Sequence, residues 1–422
     1  MRILVVSTSD IDGGASKAAY RLHRALLSQG IDSQMLVQSK ISDDYTVIAE
    51  TQKIKKKLNK LRPFFDSIPL RLYKDRTKVV FSPSWLPFSK VVDQINEINP
   101  DIVHLHWICL GMMSIEDIAK IKAPIVWSLH DMWAFTGGCH YSDECVGYIS
   151  NCGNCTILGS TKADDLSRAT WNRKQKIFAK SPNMTIVGLS KWLECCAKNS
   201  SLFKDNNVLN LPNPIDTDRF KAFDKKKARE LWGIPKDKKL ILFGALGATS
   251  DQRKGFKVLS EALNKLKNNA VEFVVFGSSE PKEPQNFGYK TYYLGHLHDD
   301  VSLVTLYSAV DVMVVPSLQE NLSNAIMESL SCATPVVGFD IGGNRDMIEH
   351  RVCGYLAKPF DSNDLASGIE WVLNAENYDE LCKNAREKVL RTFDSKVIAK
   401  SCVELYKQIL KYDANSPNHN GT

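Results

Sequence analysis

At 422 residues the chain is long enough for two or three domains, each with its own core. A net charge of +6 and a pI near 8.6 are too mild to argue for nucleic acid as a partner. No apolar run reaches the roughly 18 residues of a membrane span, residues 2–7 are too short for an export signal, and an odd count of eleven cysteines fits reduced thiols, so a cytoplasmic setting is expected.

In chain order, residues 2–7 predict a buried parallel strand, and residues 10–14 a turn opening onto a helix with Ala15, Ala18, Ala19, Leu22 and Leu26 on one face. That loop holds Gly13 and Gly14 but neither G-x-G-x-x-G nor a Walker pattern, which argues against a dinucleotide or P-loop site. Asp10 and Asp12 mimic a metal-binding pair, but they are expected to cap the turn. Residues 53–78 interleave Lys and Arg with Leu58, Leu61, Phe64, Phe65, Ile68 and Leu72. Such a stretch fits a solvated helical insertion or a contact with an anionic membrane surface. DIVHLHW at 101–107 and PIVWSL at 124–129 predict two more buried strands, with His104 and His106 packed inside the first and His130-Asp131 leaving the carboxyl end of the second. Cys139, Cys145, Cys152 and Cys155 follow with the spacing C-x5-C-x6-C-x2-C. Four thiolates can close a structural zinc site, and reduced structural thiols are the alternative.

A second series of strands and helices begins at KLILFG, residues 239–244, and the polar loop after it ends in Arg253, Lys254 and Gly255. VEFVVFG at 271–277 predicts another strand, and LGHLHD at 294–299 a loop containing His296. The run DVMVV at 311–315 ends in a polar turn; Ser323 then caps a helix with Ala325, Ile326, Ser329 and Leu330 at helical spacing, and Thr334-Pro335 breaks it before VVGFD. Glu320 and Glu328 thus stand near the carboxyl end of a strand and on the helix that follows, where open α/β sheets bind ligands. Backbone N–H groups near Leu322 and Ser323 suit a phosphate there. Two Glu at this spacing also fit a solvated helix face, but such a face needs neither the flanking strand nor Pro335 nor Gly342-Gly343. A last helix, 395–412, is expected to cross back to the first half, and residues 413–422 to form a disordered tail.

Glu, seven residues, Glu, then a turn and an apolar strand ending in Gly-Gly resembles the signature of retaining glycosyltransferases of family 4. SLHDMWAFTGGCHY resembles a subgroup of that family which builds bacterial surface polysaccharides of the colanic acid, O-antigen and capsule type. The resemblance implies an α/β chain of GT-B architecture, with two Rossmann-like βαβ domains facing an interdomain cleft. Residues 1–212 would bind acceptor and residues 213–394 the nucleotide-sugar, with Pro214 at the hinge where relatives often have Gly. It assigns Glu328 to the ribose hydroxyls, Glu320 to the transferred sugar and His130 to the transfer centre, with Asp131 orienting its neighbourhood. Lys254 would take the diphosphate, and Arg253 would stand in for an Arg found earlier in relatives, where this chain has Ala248 or Thr249. Leu322, Ser323, Gly13, Gly14 and the loop of His296 would complete the donor site. The implied partners are a UDP- or GDP-sugar and a glycan or undecaprenyl-linked acceptor, with no metal needed for the chemistry. An epimerase or phosphorylase of the same fold, a non-catalytic sugar-binding protein and a nicotinamide oxidoreductase are the competing readings, the last weakened by the missing fingerprint.

Overall fold

The computed structural model describes the chain except residues 182, 245–250, 268–269, 281–286 and 415–422. Ala248, Thr249 and most of the expected tail lie outside the described residues; the last helix runs on to Ala414 instead of stopping at 412. Two compact units form, one from Met1–Asn213 with the chain from Ile398 onward, the other from Pro214–Val397.

The first unit is built on seven parallel strands: β1 (Arg2–Ser9), β2 (Asp32–Ser39), β3 (Val47–Ile48), β4 (Ile102–Leu105), β5 (Ile125–Leu129), β6 (Met184–Gly188) and β7 (Asn207–Asn210), in the order β3-β2-β1-β4-β5-β6-β7. Its register places Val5 opposite both Met35 and His104. Strands β1, β4 and β5 are buried on both faces, as a parallel sheet covered by helices requires. The Gly14–Ser28 helix lays Ala19, Leu22 and Leu26 on one face of the sheet, and Ile398, Ala399, Cys402 and Tyr406 of the Ser395–Ala414 helix join the same cluster with Ile3, Val5 and Val126.

The second unit holds six parallel strands: β8 (Lys239–Gly244), β9 (Val271–Phe276), β10 (Thr291–Tyr293), β11 (Val312–Val315), β12 (Val336–Phe339) and β13 (Gly354–Ala357), in the order β10-β9-β8-β11-β12-β13. Strand order reverses between β1 and β4 in the first sheet and between β8 and β11 in the second. Loops that leave the carboxyl ends of strands flanking such a reversal splay apart and open a crevice. Gly13, Arg253, Lys254, Glu320, Leu322 and Ser323 sit on such loops, whereas His130 and Asp131 follow β5 and His296 follows β10.

Candidate active site

In the first unit, β4 ends at Leu105 and His106 follows it directly, buried as expected and with its N–H still on the Val6 carbonyl of β1. His130 leaves β5 in the same way, and His106 Nδ1 lies 2.9 Å from His130 Nε2. Behind them His104, within β4, meets the Tyr406 hydroxyl at 2.6 Å and the Ser128 hydroxyl at 2.8 Å, and its ring stacks on His106 with centroids 4.6 Å apart. Burial pushes His130 down to about 4 and His104 to about 3, and drives His106 well below its ordinary value, so all three are neutral at pH 7. His106 Nε2 is buried with no hydrogen-bond partner. A proton there would be an unsatisfied donor, which places it on Nδ1, donating to His130 Nε2 and leaving the His130 proton on Nδ1.

Asp131 turns away from this pair. Its carboxylate accepts from Trp107 Nε1 at 2.8 Å, His140 Nδ1 at 2.6 Å and the Trp133 N–H at 2.9 Å. Burial alone would raise its pKa, but His140 and the three donors hold it below the usual carboxylate range. Asp131 is therefore an anchor for the loop that follows His130. Lys174, fully buried, grips the same loop from below by donating to the carbonyls of Trp133 and Thr136 and stacking its ammonium over the Trp133 ring.

The four thiols expected to bind zinc are spread over this loop. Cys139 and Cys155 pack with Phe81, Ile157 and Leu158, while Cys152 and Cys145 accept the N–H groups of Gly137 and Gly147. Among the described residues no group of three or more His, Cys, Asp or Glu side chains is placed to hold a metal ion. The β1 loop carries Gly13, left-handed at φ 83°, directly before the Gly14–Ser28 helix, and nothing lies within 4 Å of where a side chain at Gly13 would start. Asp10 is buried and accepts from Ile11, Ile41 and Ser42, which makes it a turn cap and not half of a metal pair.

In the second unit, Gly255 takes φ +71° and approaches the next strand's exit so closely that an added Cβ would sit 1.9 Å from Pro316 O. That approach, with the Leu318 N–H on Arg253 O at 2.7 Å, brings the β8 loop against the β11 loop. Lys254 Nζ then lies 3.4 Å from Glu320 Oε2, which also accepts from the Ser317 hydroxyl at 3.3 Å. Arg253 is held by Asp251, Nη2 to Oδ2 at 2.7 Å, so its guanidinium is already engaged in its own turn. Leu322 and Ser323 are buried at the start of the Asn324–Ser331 helix; Ser323 occupies the cap position but makes no side-chain cap bond, leaving that helix's first N–H groups without the expected hydroxyl. Glu328, on the same helix, is buried and accepts from the Tyr307 hydroxyl at 3.0 Å. His296 is exposed on the loop after β10, whose Gly295 carbonyl accepts from Gly277 at the end of β9.

Each unit thus carries polar groups at the carboxyl edge of a doubly wound parallel sheet, and the two together are the Rossmann-like domains of the GT-B glycosyltransferase fold. HepE of Anabaena, solved with UDP and glucose, has that fold with a TM-score of 0.64, 16% identity, and coverage of 96% of this chain and 99% of its own. Residues 237–375, a third of the chain, match the family described as Glycosyl transferases group 1. The chain is similar to an uncharacterised glycosyltransferase of Methanocaldococcus jannaschii, 26% identical across 75% of this chain and 86% of that one. It is also similar to a colanic acid biosynthesis glycosyl transferase, so named putatively, of Escherichia coli K12, 22% identical across 83% and 85%. Over 44% of this chain and 50% of the other, it is 24% identical to an Escherichia coli galactosyltransferase whose name gives a UDP-Gal donor and a diphosphoundecaprenol-linked acceptor.

Proposed function

We propose that the chain is a retaining hexosyltransferase that moves a sugar from a nucleotide-diphosphate donor, UDP- or GDP-linked, to a glycan or undecaprenyl-linked acceptor in surface polysaccharide synthesis. It would work on the cytoplasmic side of the membrane. The observation that carries the reading is the β11 exit at the reversal of the second sheet, where Lys254 lies 3.4 Å from Glu320 on the loop that leads into the helix bearing the buried Glu328. As the bond from sugar carbon to diphosphate breaks, negative charge grows on phosphate, and Lys254 with the N–H groups near Leu322 and Ser323 would stabilise it; one preorganised donor commonly contributes roughly 3 kcal/mol in a transition state. Glu328 would hold the ribose hydroxyls and Glu320 the sugar, and His130 would contact a reacting hydroxyl. No metal enters the proposed chemistry.

Glu328→Ala tests this. The variant should keep its fold and bind UDP- or GDP-sugars roughly ten- to hundredfold more weakly by calorimetry, the value of about 1.5–3 kcal/mol for a lost hydrogen bond to a charged group. Unchanged donor affinity in a folded variant would sink the assignment.

A further inference from the structure

The Lys53–Asp66 helix is mounted with its polar side against the protein. Lys55, Asn59, Arg62 and Asp66 repeat at i, i+4, i+7 and i+11 and face inward: Lys55 pairs with Glu50 at 3.6 Å, the Asn59 carbonyl accepts from Gln38, and Asp66 accepts from the Trp85 N–H at 3.2 Å. Arg62 donates to the carbonyls of Gly111, Leu86 and Pro87. Ile54, Leu58, Leu61 and Phe65 follow the same spacing one residue earlier, and all four are exposed, Ile54 to 77%. Asp66 is the helix's one buried residue. A domain-surface helix does the reverse, hiding its apolar stripe and showing its charges. Leu72, 84% exposed, continues the apolar surface; so does Phe88, 93% exposed, on the loop that Arg62 and Asp66 hold against the helix.

Charge marks the same segment. Residues 53–78 hold ten Lys and Arg against two Asp, a net +8 where the whole chain carries +6, so the other 396 residues net to −2. Lys53, Lys56, Lys57 and Lys60 are exposed along the helix beside its apolar stripe. We infer that this face docks on an anionic phospholipid bilayer, its apolar side chains entering the acyl boundary while the lysines meet headgroup phosphates. Charge selects the bilayer over a second copy of the chain, because a two-fold contact would set one +8 segment against another. The inference deepens the proposed function by naming the surface that would bring the enzyme to a lipid-linked acceptor, while its own ground is the orientation and charge of the helix.

The test is sedimentation of the full chain with vesicles of phosphatidylcholine alone or mixed equally with phosphatidylglycerol. Binding is expected to the mixed vesicles only, to weaken with added salt, and to fall roughly tenfold or more in both Leu58→Glu/Phe65→Glu and Lys56→Glu/Lys57→Glu/Lys60→Glu. These side chains are exposed, so the variants should keep the parent's thermal stability and its transfer to a water-soluble acceptor. Absence of binding to mixed vesicles, or equal binding by parent and variants, overturns the inference. So does sedimentation velocity showing a dimer that the same substitutions dissociate, which would make the face a self-contact. Vesicle binding by a chain that transfers no sugar would remove the proposed function and leave this inference standing.

Discussion

His106 donates the proton that fixes the tautomer of His130. If His130 works at the reacting centre, His106→Ala should lower kcat roughly tenfold or more while changing the donor KM little, because the loss is one of orientation and tautomer and not of donor contacts. His106→Gln, whose amide can still donate toward His130, should recover part of that rate. Full activity in His106→Ala would reduce the contact to packing. Sequence pattern placed His130 at the strand's end and read His106 as packed; His106 is buried, but the pattern could not show that its ring meets His130. The useful signal was the matching place of the two histidines, each just past a buried parallel strand. Arg253, whose type suits a phosphate, pairs with Asp251 two residues away, a contact that its place in the sequence did not reveal.

At the scale of elements, the β8 and β11 exits depend on Gly255. Any side chain there meets Pro316 O and an unfavourable positive φ, a conformation that costs an L-residue about 1–2 kcal/mol before the clash is counted. Gly255→Ala should therefore lower the melting temperature by several degrees and weaken nucleotide-sugar binding, as Lys254 is drawn off Glu320; a variant with the parent's stability and affinity would show that the two loops are not coupled in this way. The strands on either side were legible because they are buried on both faces and so read as continuous apolar runs, DVMVV and VEFVVF among them. β2 drew no expectation, since DSQMLVQS begins and ends in polar residues and shows its apolar centre for only three. The four cysteines were legible as a spacing; that Phe81, Ile157 and Leu158 pack with two of them was not. The Lys53–Asp66 helix was legible as basic and amphipathic, but sequence could not say which side faces out, as that depends on Gln38, Trp85 and the 86–87 carbonyls, all distant in the chain.

For the whole molecule, buried neutral histidines set the acid limit. His23, between the Ser33 and Thr46 hydroxyls, is pushed down to about 4 by burial, as is His130, and His104 goes to about 3. Each has a folded pKa below its unfolded value, so its contribution is complete above pH ~6.5 and is lost as pH falls toward about 4, on the order of 3 kcal/mol apiece. The melting temperature should drop steeply between pH 6.5 and 4, before most carboxylates titrate, and His23→Gln should flatten that slope; a flat profile to pH 4 would mean these imidazoles are reached by solvent. The return of the last helix to the first sheet has a consequence for synthesis. The Tyr406 hydroxyl closes on His104, and Ile398 and Ala399 join the cluster around Ile3 and Val5, so the first unit lacks part of its core until residue 406 has left the ribosome. The second unit, Pro214–Val397, is continuous and has no such wait. Translation at ~5–20 residues per second leaves the amino-terminal sheet unfinished for roughly ten to forty seconds while the later unit is made. The half of the protein that is born first is thus completed last, and a nascent chain halted near residue 397 should expose the apolar face around Val5 to chaperones.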